Sequence, residues 1–182
     1  MTPKLKAALG AFLIALPADQ ITKYLVNEHL AYSDKIAVIN GLFYLTHVRN
    51  TGAAFGIFAG APPGLRLVLF IGVSVVAMGI ILSFYRKLAP GDRLSALALG
   101  LILGGASGNL IDRIQYGEVI DFLHVLLWGG YSWPDFNLAD SFIVVGVSIL
   151  ILELLASEGE SRGQRADRDR EGAGPRASTP AD

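Results

Sequence analysis

Apolar positions in this chain do not alternate or keep to one helical face; they run on, in four stretches set apart by short polar segments. Residues 65 to 85, "LRLVLFIGVSVVAMGIILSFY", residues 94 to 111, "LSALALGLILGGASGNLI", and residues 139 to 156, "ADSFIVVGVSILILELLA", each meet the length of about 17 to 25 residues that crosses a bilayer as a helix. Residues 6 to 26 make a fourth. Lys4 and Lys6 ahead of a short apolar run give the start of the chain the look of a secretory signal, but the apolar character resumes as "ITKYLV", which predicts a span. Backbone groups in hydrocarbon must be paired within their own segment, so the spans are expected to be helices. The predicted fold class is an all-α membrane protein of four transmembrane helices.

Charge gives the spans a direction. Lys4 and Lys6 flank the first, Arg86, Lys87 and Arg93 lie between the second and third, and five arginines follow the fourth. The positive-inside bias therefore predicts cytoplasmic termini and outward-facing connections at 27–64 and 112–138. Within the first connection, "IAVINGLFYLTHV" (36 to 48) is rich in β-branched and aromatic residues around the turn dipeptide "NG", which predicts short strands near the membrane surface. A short surface segment around 56 to 64, "GIFAGAPPG", is rich in helix breakers. Residues 1–156 form one membrane domain. Residues 157–182 mix both charge signs with Gly and Pro, lack a core-forming pattern, and are expected to be a disordered cytoplasmic tail.

Composition removes several function classes. The chain is 52% hydrophobic and 17% charged, with a formal net charge of -1 and no basic cluster within the membrane domain, so a nucleic-acid partner is excluded. Its lack of cysteine excludes disulfides, thiolate nucleophiles, cysteine-based zinc sites and lipid attachment through sulfur.

The polar residues of the spans are unevenly placed. Asp19 and Lys23, one turn apart on the first span, fall in its outer part. Asn109, Asp112 and Arg113 end the third span, Asp121 lies on the connection, and Asn137 and Asp140 begin the fourth. All eight gather at the outer interface. Singly, such residues are caps or snorkelling anchors, and Asn137 as N-cap with Asp140 in the first turn fits that role. Eight at one level point to a site. Asp135, beside Pro134, reads as a turn residue. Trp128, Tyr131 and Trp133 fit the interfacial aromatic belt, and His47 and His124, without metal-ligand spacing, are assigned no chemistry. Gly100, Gly104 and Gly108 put a small-residue face on the third span, where another helix backbone approaches.

Three chemistries are open to such a site. A proton-coupled transporter would run its polar residues through the midplane and show repeats, which this pattern does not. A metal-dependent lipid enzyme would use Asp112, Asp121 and Asp140 as oxygen ligands. A serine and lysine peptidase would pair Lys23 with Ser107 or Ser141, although these serines read better as packing residues.

Five blocks, "DQITK" (19 to 23), "RNTGAAFGIF" (49 to 58), "GNLIDR" (108 to 113), "GEVIDF" (117 to 122) and "PDFNLADSFI" (134 to 143), together resemble the successive signature blocks of the lipoprotein signal peptidase (signal peptidase II) family. The resemblance implies an aspartic endopeptidase of the bacterial inner membrane, acting toward the periplasm or cell exterior. Its partners would be membrane lipids and prolipoprotein signal peptides whose lipobox cysteine carries diacylglycerol. It implies a chain working as a monomer without metal or organic cofactor, and a small extracytoplasmic β-sheet with a short surface helix over the site. On the matching positions it makes Asp121 and Asp140 catalytic, and gives Asn50, Gly52, Asn109, Arg113 and Asn137 substrate-binding or orienting roles. Asp19, Lys23 and Asp112 become structural polar residues. Two carboxylates held close do not both ionise readily, so the pair is expected to share a proton and activate a water. The family pattern has no counterpart of the arginine-rich tail or of Pro17 in "LPAD".

Overall fold

A computed structural model describes residues 1–52 and 62–172 of the chain, with side chains through residue 159. Helix α1 spans Pro3–His29, strands β1 and β2 span Lys35–Ile39 and Phe43–Asn50, and helices α2 and α3 span Pro63–Lys87 and Arg93–Tyr116. Strand β3 follows at Val119–Val125, then a single 3-10 turn at Trp128–Gly130, and helix α4 from Leu138 to Gly172.

Local chemistry sets the ends of these elements. Thr2 opens α1 by accepting the Leu5 N–H at 3.3 Å, with Pro3 in the first turn where its missing N–H costs nothing. Pro17 removes one backbone donor without ending α1. Asp92 caps α3 through the Ser95 N–H at 3.1 Å. Gly117 closes the same helix in the left-handed region, φ +76°, returning its N–H to the Arg113 carbonyl and turning the chain into β3 within two residues.

All four helices are long and apolar enough to cross a membrane. Helix α3 is central: α1 and α4 pack on it, and α2 leans against it. The small-residue face of α3 meets α1, as the spacing predicts. Gly100 lies against the Ala8 backbone, and a Cβ on Gly104 would stand 2.7 Å from that of Ala15. Helix α2 buries no residue, and Val68, Val73, Val76 and Ile80 are exposed along it, a surface that suits acyl chains and not water.

The strands expected within 36 to 48 are β1 and β2, joined through Asn40 and Gly41, the latter at φ +77°. The 112–138 connection departs from expectation. Its first five residues complete α3, and 119–125 form a third strand, giving an antiparallel sheet of order β1-β2-β3 in which Val48 pairs with Asp121 and Asn50 with Val119. "VIDFLHV" has strand-forming residues throughout, but a strand this short gains its backbone hydrogen bonds only once β2 lies beside it. Ile120 and Phe122 pack on Val26 of α1, fixing the sheet to the helices.

Helix α4 runs on past residue 156 to Gly172. Extending a helix already nucleated is cheap, and Glu, Arg and Gln are good helix formers. Residues 173–182 lie outside the described residues, as does 53–61, where most of the expected surface segment falls; residues 63 and 64 belong to α2.

Candidate active site

Asp121 and Asp140 come together on one cavity of about 260 Å3, with Asn50, Asn109, Arg113 and Trp133 also in its wall. Strand β3 presents Asp121, 2% exposed, and the first turn of α4 presents Asp140. A cavity of similar size between α1, α2 and α3 has an almost wholly apolar lining, from residues such as Leu5, Phe12 and Leu103, and no carboxylate among its lining residues.

Asparagines hold both carboxylates. Asn50 Nδ2 donates to Asp121 Oδ2 at 2.9 Å, and Asn137 Nδ2 donates to Asp121 Oδ1 at 2.7 Å. Asn109 Nδ2 donates to Asp140 Oδ1 at 2.8 Å. The amide of Asn50 is oriented by its own turn, since its Oδ1 accepts the Gly52 N–H at 3.0 Å. Asn137 is the predicted N-cap of α4: its Oδ1 accepts the Asp140 N–H at 3.0 Å, and Asp140 Oδ2 accepts the Asn137 N–H at 3.3 Å, the reciprocal pattern of a capping box. One residue thus starts the helix that carries Asp140 and binds Asp121.

Burial pushes the Asp121 carboxyl up to about 7; the hydrogen bonds from Asn50 and Asn137 oppose the rise and the negative charge of Asp140 adds to it. Arg113, one turn beyond Asn109, donates to the Asn109 carbonyl at 3.1 Å and lies within electrostatic reach of Asp140, Asp121 and Asp112.

Asp19, Lys23 and Asp112 stand behind the pair in a buried network. Lys23 Nζ lies 2.9 Å from Asp19 Oδ2, from Asp112 Oδ2 and from Asn109 Oδ1, so its three hydrogens are all engaged. The two acids then reach the backbone next to the pair. Asp112 Oδ2 accepts the Ile120 N–H at 3.1 Å, and Asp19 Oδ1 accepts the Ala139 N–H at 2.9 Å. Each therefore grips a residue immediately before a member of the pair, Asp112 before Asp121 and Asp19 before Asp140.

This network answers two of the alternative chemistries. Lys23 is committed to acids and an amide, while Ser107 donates to Met78 Sδ at 3.7 Å and Ser141 to the Asn137 carbonyl at 3.0 Å, so no serine and lysine pair forms. Asp112 turns away from Asp121 and Asp140 toward Lys23, and among the described residues no three His, Asp or Glu side chains converge to hold a metal ion.

Sequence reasoning missed three participants. Gln20 donates to Asp112 Oδ1 at 3.0 Å and to the Gly108 carbonyl at 3.2 Å, tightening the network; its place beside Asp19 in "DQITK" was the available signal. Asp135, read as a turn residue, lines the cavity, and His124, read as inert, is 3.1 Å from it. Nothing local in the sequence joins that pair, because they meet through a strand pairing.

Residues 11–156 match the profile of the family described as Signal peptidase (SPase) II. A lipoprotein signal peptidase of Geobacter sulfurreducens is 47% identical over 158 residues, covering 87% of this chain and 97% of that relative. The lipoprotein signal peptidase of Bacillus subtilis is 40% identical over 153 residues, covering 84% and 96%. A solved bacterial membrane enzyme, crystallised in meso, superposes with a TM-score of 0.75 at 31% identity, covering 84% of this chain and 90% of that one. These similarities run through every helix and strand described above, and the chain belongs to the signal peptidase II family, the lipoprotein signal peptidases, as a multi-pass membrane peptidase.

Proposed function

We propose that the chain is an aspartic endopeptidase that removes the signal peptide from diacylglyceryl-modified prolipoproteins at the outer face of the bacterial inner membrane. The observation that carries this reading is the placement of Asp121 and Asp140 on one cavity, joined by Asn109 and Asn137.

Burial raises Asp121, so Asp121 holds the proton of the pair and Asp140 serves as the base. Asp140 takes a proton from water in the cavity as the water oxygen attacks the scissile carbonyl. Asp121 donates its proton to the carbonyl oxygen. Collapse of the tetrahedral intermediate returns that proton to Asp121, breaks the C–N bond, and passes the proton held by Asp140 to the leaving amine. Arg113 balances negative charge beside the pair, and Asn50 and Asn109 keep the carboxylates aimed into the cavity.

Charge and contact support the proposed orientation. Lys4 Nζ donates to the Leu88 carbonyl at 2.6 Å, so the start of α1 and the α2–α3 connection share one end of the bundle. Lys6, Arg86, Lys87 and Arg93 belong to that end, and the positive-inside bias supports reading it as cytoplasmic, with Asp121 and Asp140 at the opposite, outer level. The substrate is itself an apolar helix with a lipidated cysteine, so it approaches sideways from the bilayer, and the chain acts as a monomer, since one copy carries both aspartates.

The test is incubation of the purified chain with a lipobox peptide, with and without diacylglycerol on its cysteine. Cleavage of the lipidated peptide alone is expected. Asp121→Asn and Asp140→Asn should insert normally and lose turnover, and retained turnover by either inserted variant would refute the assignment.

A further inference from the structure

On the strand that carries Asp121, the opposite face carries His124, because side chains three apart on a strand point to opposite sides. His124 is the centre of a hydrogen-bonded chain. Its Nδ1 lies 3.1 Å from Asp135 Oδ1, its Nε2 lies 3.1 Å from Ser132 Oγ, and Thr46 Oγ1 of β2 donates to the same Asp135 oxygen at 2.7 Å. A carboxylate only accepts, so Nδ1 carries the hydrogen toward Asp135. Nε2 then accepts from Ser132 when the ring is neutral and donates to it when the ring is charged, so the chain persists in either state. The Tyr44 ring packs edge-on against His124 at 5.9 Å and holds it in place.

The order serine, histidine, aspartate is that of hydrolytic triads, but its connection to the site runs through the acid. Asp135 lines the cavity with Trp133, Pro134 and Phe136, and Ser132 does not. The backbone of this wall is anchored to β3 at two points. Trp133 N–H donates to the Val125 carbonyl at 2.9 Å, and Phe136 exchanges hydrogen bonds with Leu123 at 2.8 and 3.0 Å. Between those anchors, Pro134 has no N–H to give, and the Asp135 side chain is what ties the bulge down.

We infer that Trp133, Pro134 and Phe136 form the wall that receives the apolar residues flanking the scissile bond, and that Thr46, Asp135 and His124 latch that wall from the far side of the sheet. This rests on the reading of the cavity as a peptidase site. Trp133, 49% exposed and facing the cavity, offers a flat apolar surface for a substrate side chain, and a free carboxylate at Asp135 would repel one. The latch turns that carboxylate away from the substrate. Asp135 and His124 are thus positioning residues, acting through the wall and not on the reacting atoms.

The experiment uses the full chain in proteoliposomes with a diacylglyceryl-modified lipobox peptide. Asp135→Asn and His124→Gln should raise KM about tenfold while kcat stays within about twofold, the pattern of lost uniform binding. Thr46→Ser, which keeps the hydroxyl, should match the parent. In a Trp128→Phe background, where Trp133 is the sole tryptophan, acrylamide should quench its fluorescence more strongly in both latch variants, and peptide bound to an Asp140→Asn chain should protect it. Unchanged KM and quenching in both latch variants, or loss of kcat with KM intact, overturns the inference. Absence of cleavage by the parent chain overturns the peptidase reading instead, and the quenching comparison then still tests the latch.

Discussion

Asn137 donates to Asp121 at 2.7 Å from the very position that caps the helix bearing Asp140. The spacing between the two carboxylates is therefore set by one side chain that answers to both secondary structure and chemistry. Asn137→Ala removes the cap, worth about 1 kcal/mol of stability, together with a donor to a buried carboxylate. The expected result is a modest fall in thermal midpoint, measured in detergent, beside a fall in kcat of a hundredfold or more. Asn137→Asp should keep the cap and lose as much activity, because it swaps the donor for a third negative charge. Activity in that variant close to the parent's would show that the bond to Asp121 is dispensable.

Lys23 neutralises two buried acids at once, and those acids hold the backbone before Asp121 and before Asp140. Lys23→Met leaves Asp19 and Asp112 facing each other without a cation, a loss of about 3 to 5 kcal/mol by analogy with other broken buried pairs. The triple variant Asp19→Asn, Lys23→Met, Asp112→Asn removes the charges together and should recover most of that stability. Activity should not return with it, since neutral amides grip the Ile120 and Ala139 N–H groups less firmly. Thermal unfolding and peptide cleavage on the same three preparations separate the two effects.

The raised carboxyl of Asp121 makes two pH predictions with defined signs. The acid form donates to the scissile carbonyl, so kcat/KM should fall as pH rises through about 7. For stability, the folded chain holds this proton more tightly than the unfolded chain, whose carboxyl has the ordinary value of 3.8. Ionising Asp121 therefore destabilises the fold progressively as pH climbs from about 3.8 toward 7, and the cost is complete above that. Asp121→Asn escapes this cost. The difference in thermal midpoint between Asp121→Asn and the parent should grow in favour of the variant between pH 5 and pH 8, and a difference flat across that window would count against the raised value.

Much of this was legible in the sequence because a bilayer writes strong signals. Four long apolar runs fixed the helices, and the depth of Asp19, Lys23, Asn109, Asp112, Asn137 and Asp140 along them fixed one polar level. Asn137 as a cap followed from its position before an apolar run. What was not legible depends on pairing across the chain. Strand β3 needs β2 beside it, and with β3 come the placement of Asp121 and the meeting of His124 with Asp135. The length of α4 was not legible for a different reason: composition alone does not register that residues 157–172 extend a helix already formed.

The close seam between α3 and α1 gives a last prediction, on packing. A Cβ at Gly108 would collide with the Asp19 carboxylate, whose Oδ1 holds the Ala139 N–H and whose Oδ2 meets Lys23. Neither bond survives a shift of Asp19, so Gly108→Ala should lower stability by about 1 to 3 kcal/mol, as overpacked sites do. It should also lower kcat, because the residue that Asp19 holds precedes Asp140. Gly79→Ala is the matched control: it lies on α2 with no atom within 4 Å of the added carbon. That variant should be neutral or slightly more stable, since alanine suits a helix better than glycine by up to about 1 kcal/mol. Equal behaviour of the two variants in thermal unfolding and cleavage would mean that the α3 to α1 seam yields, and that Asp19 is not held in place by it.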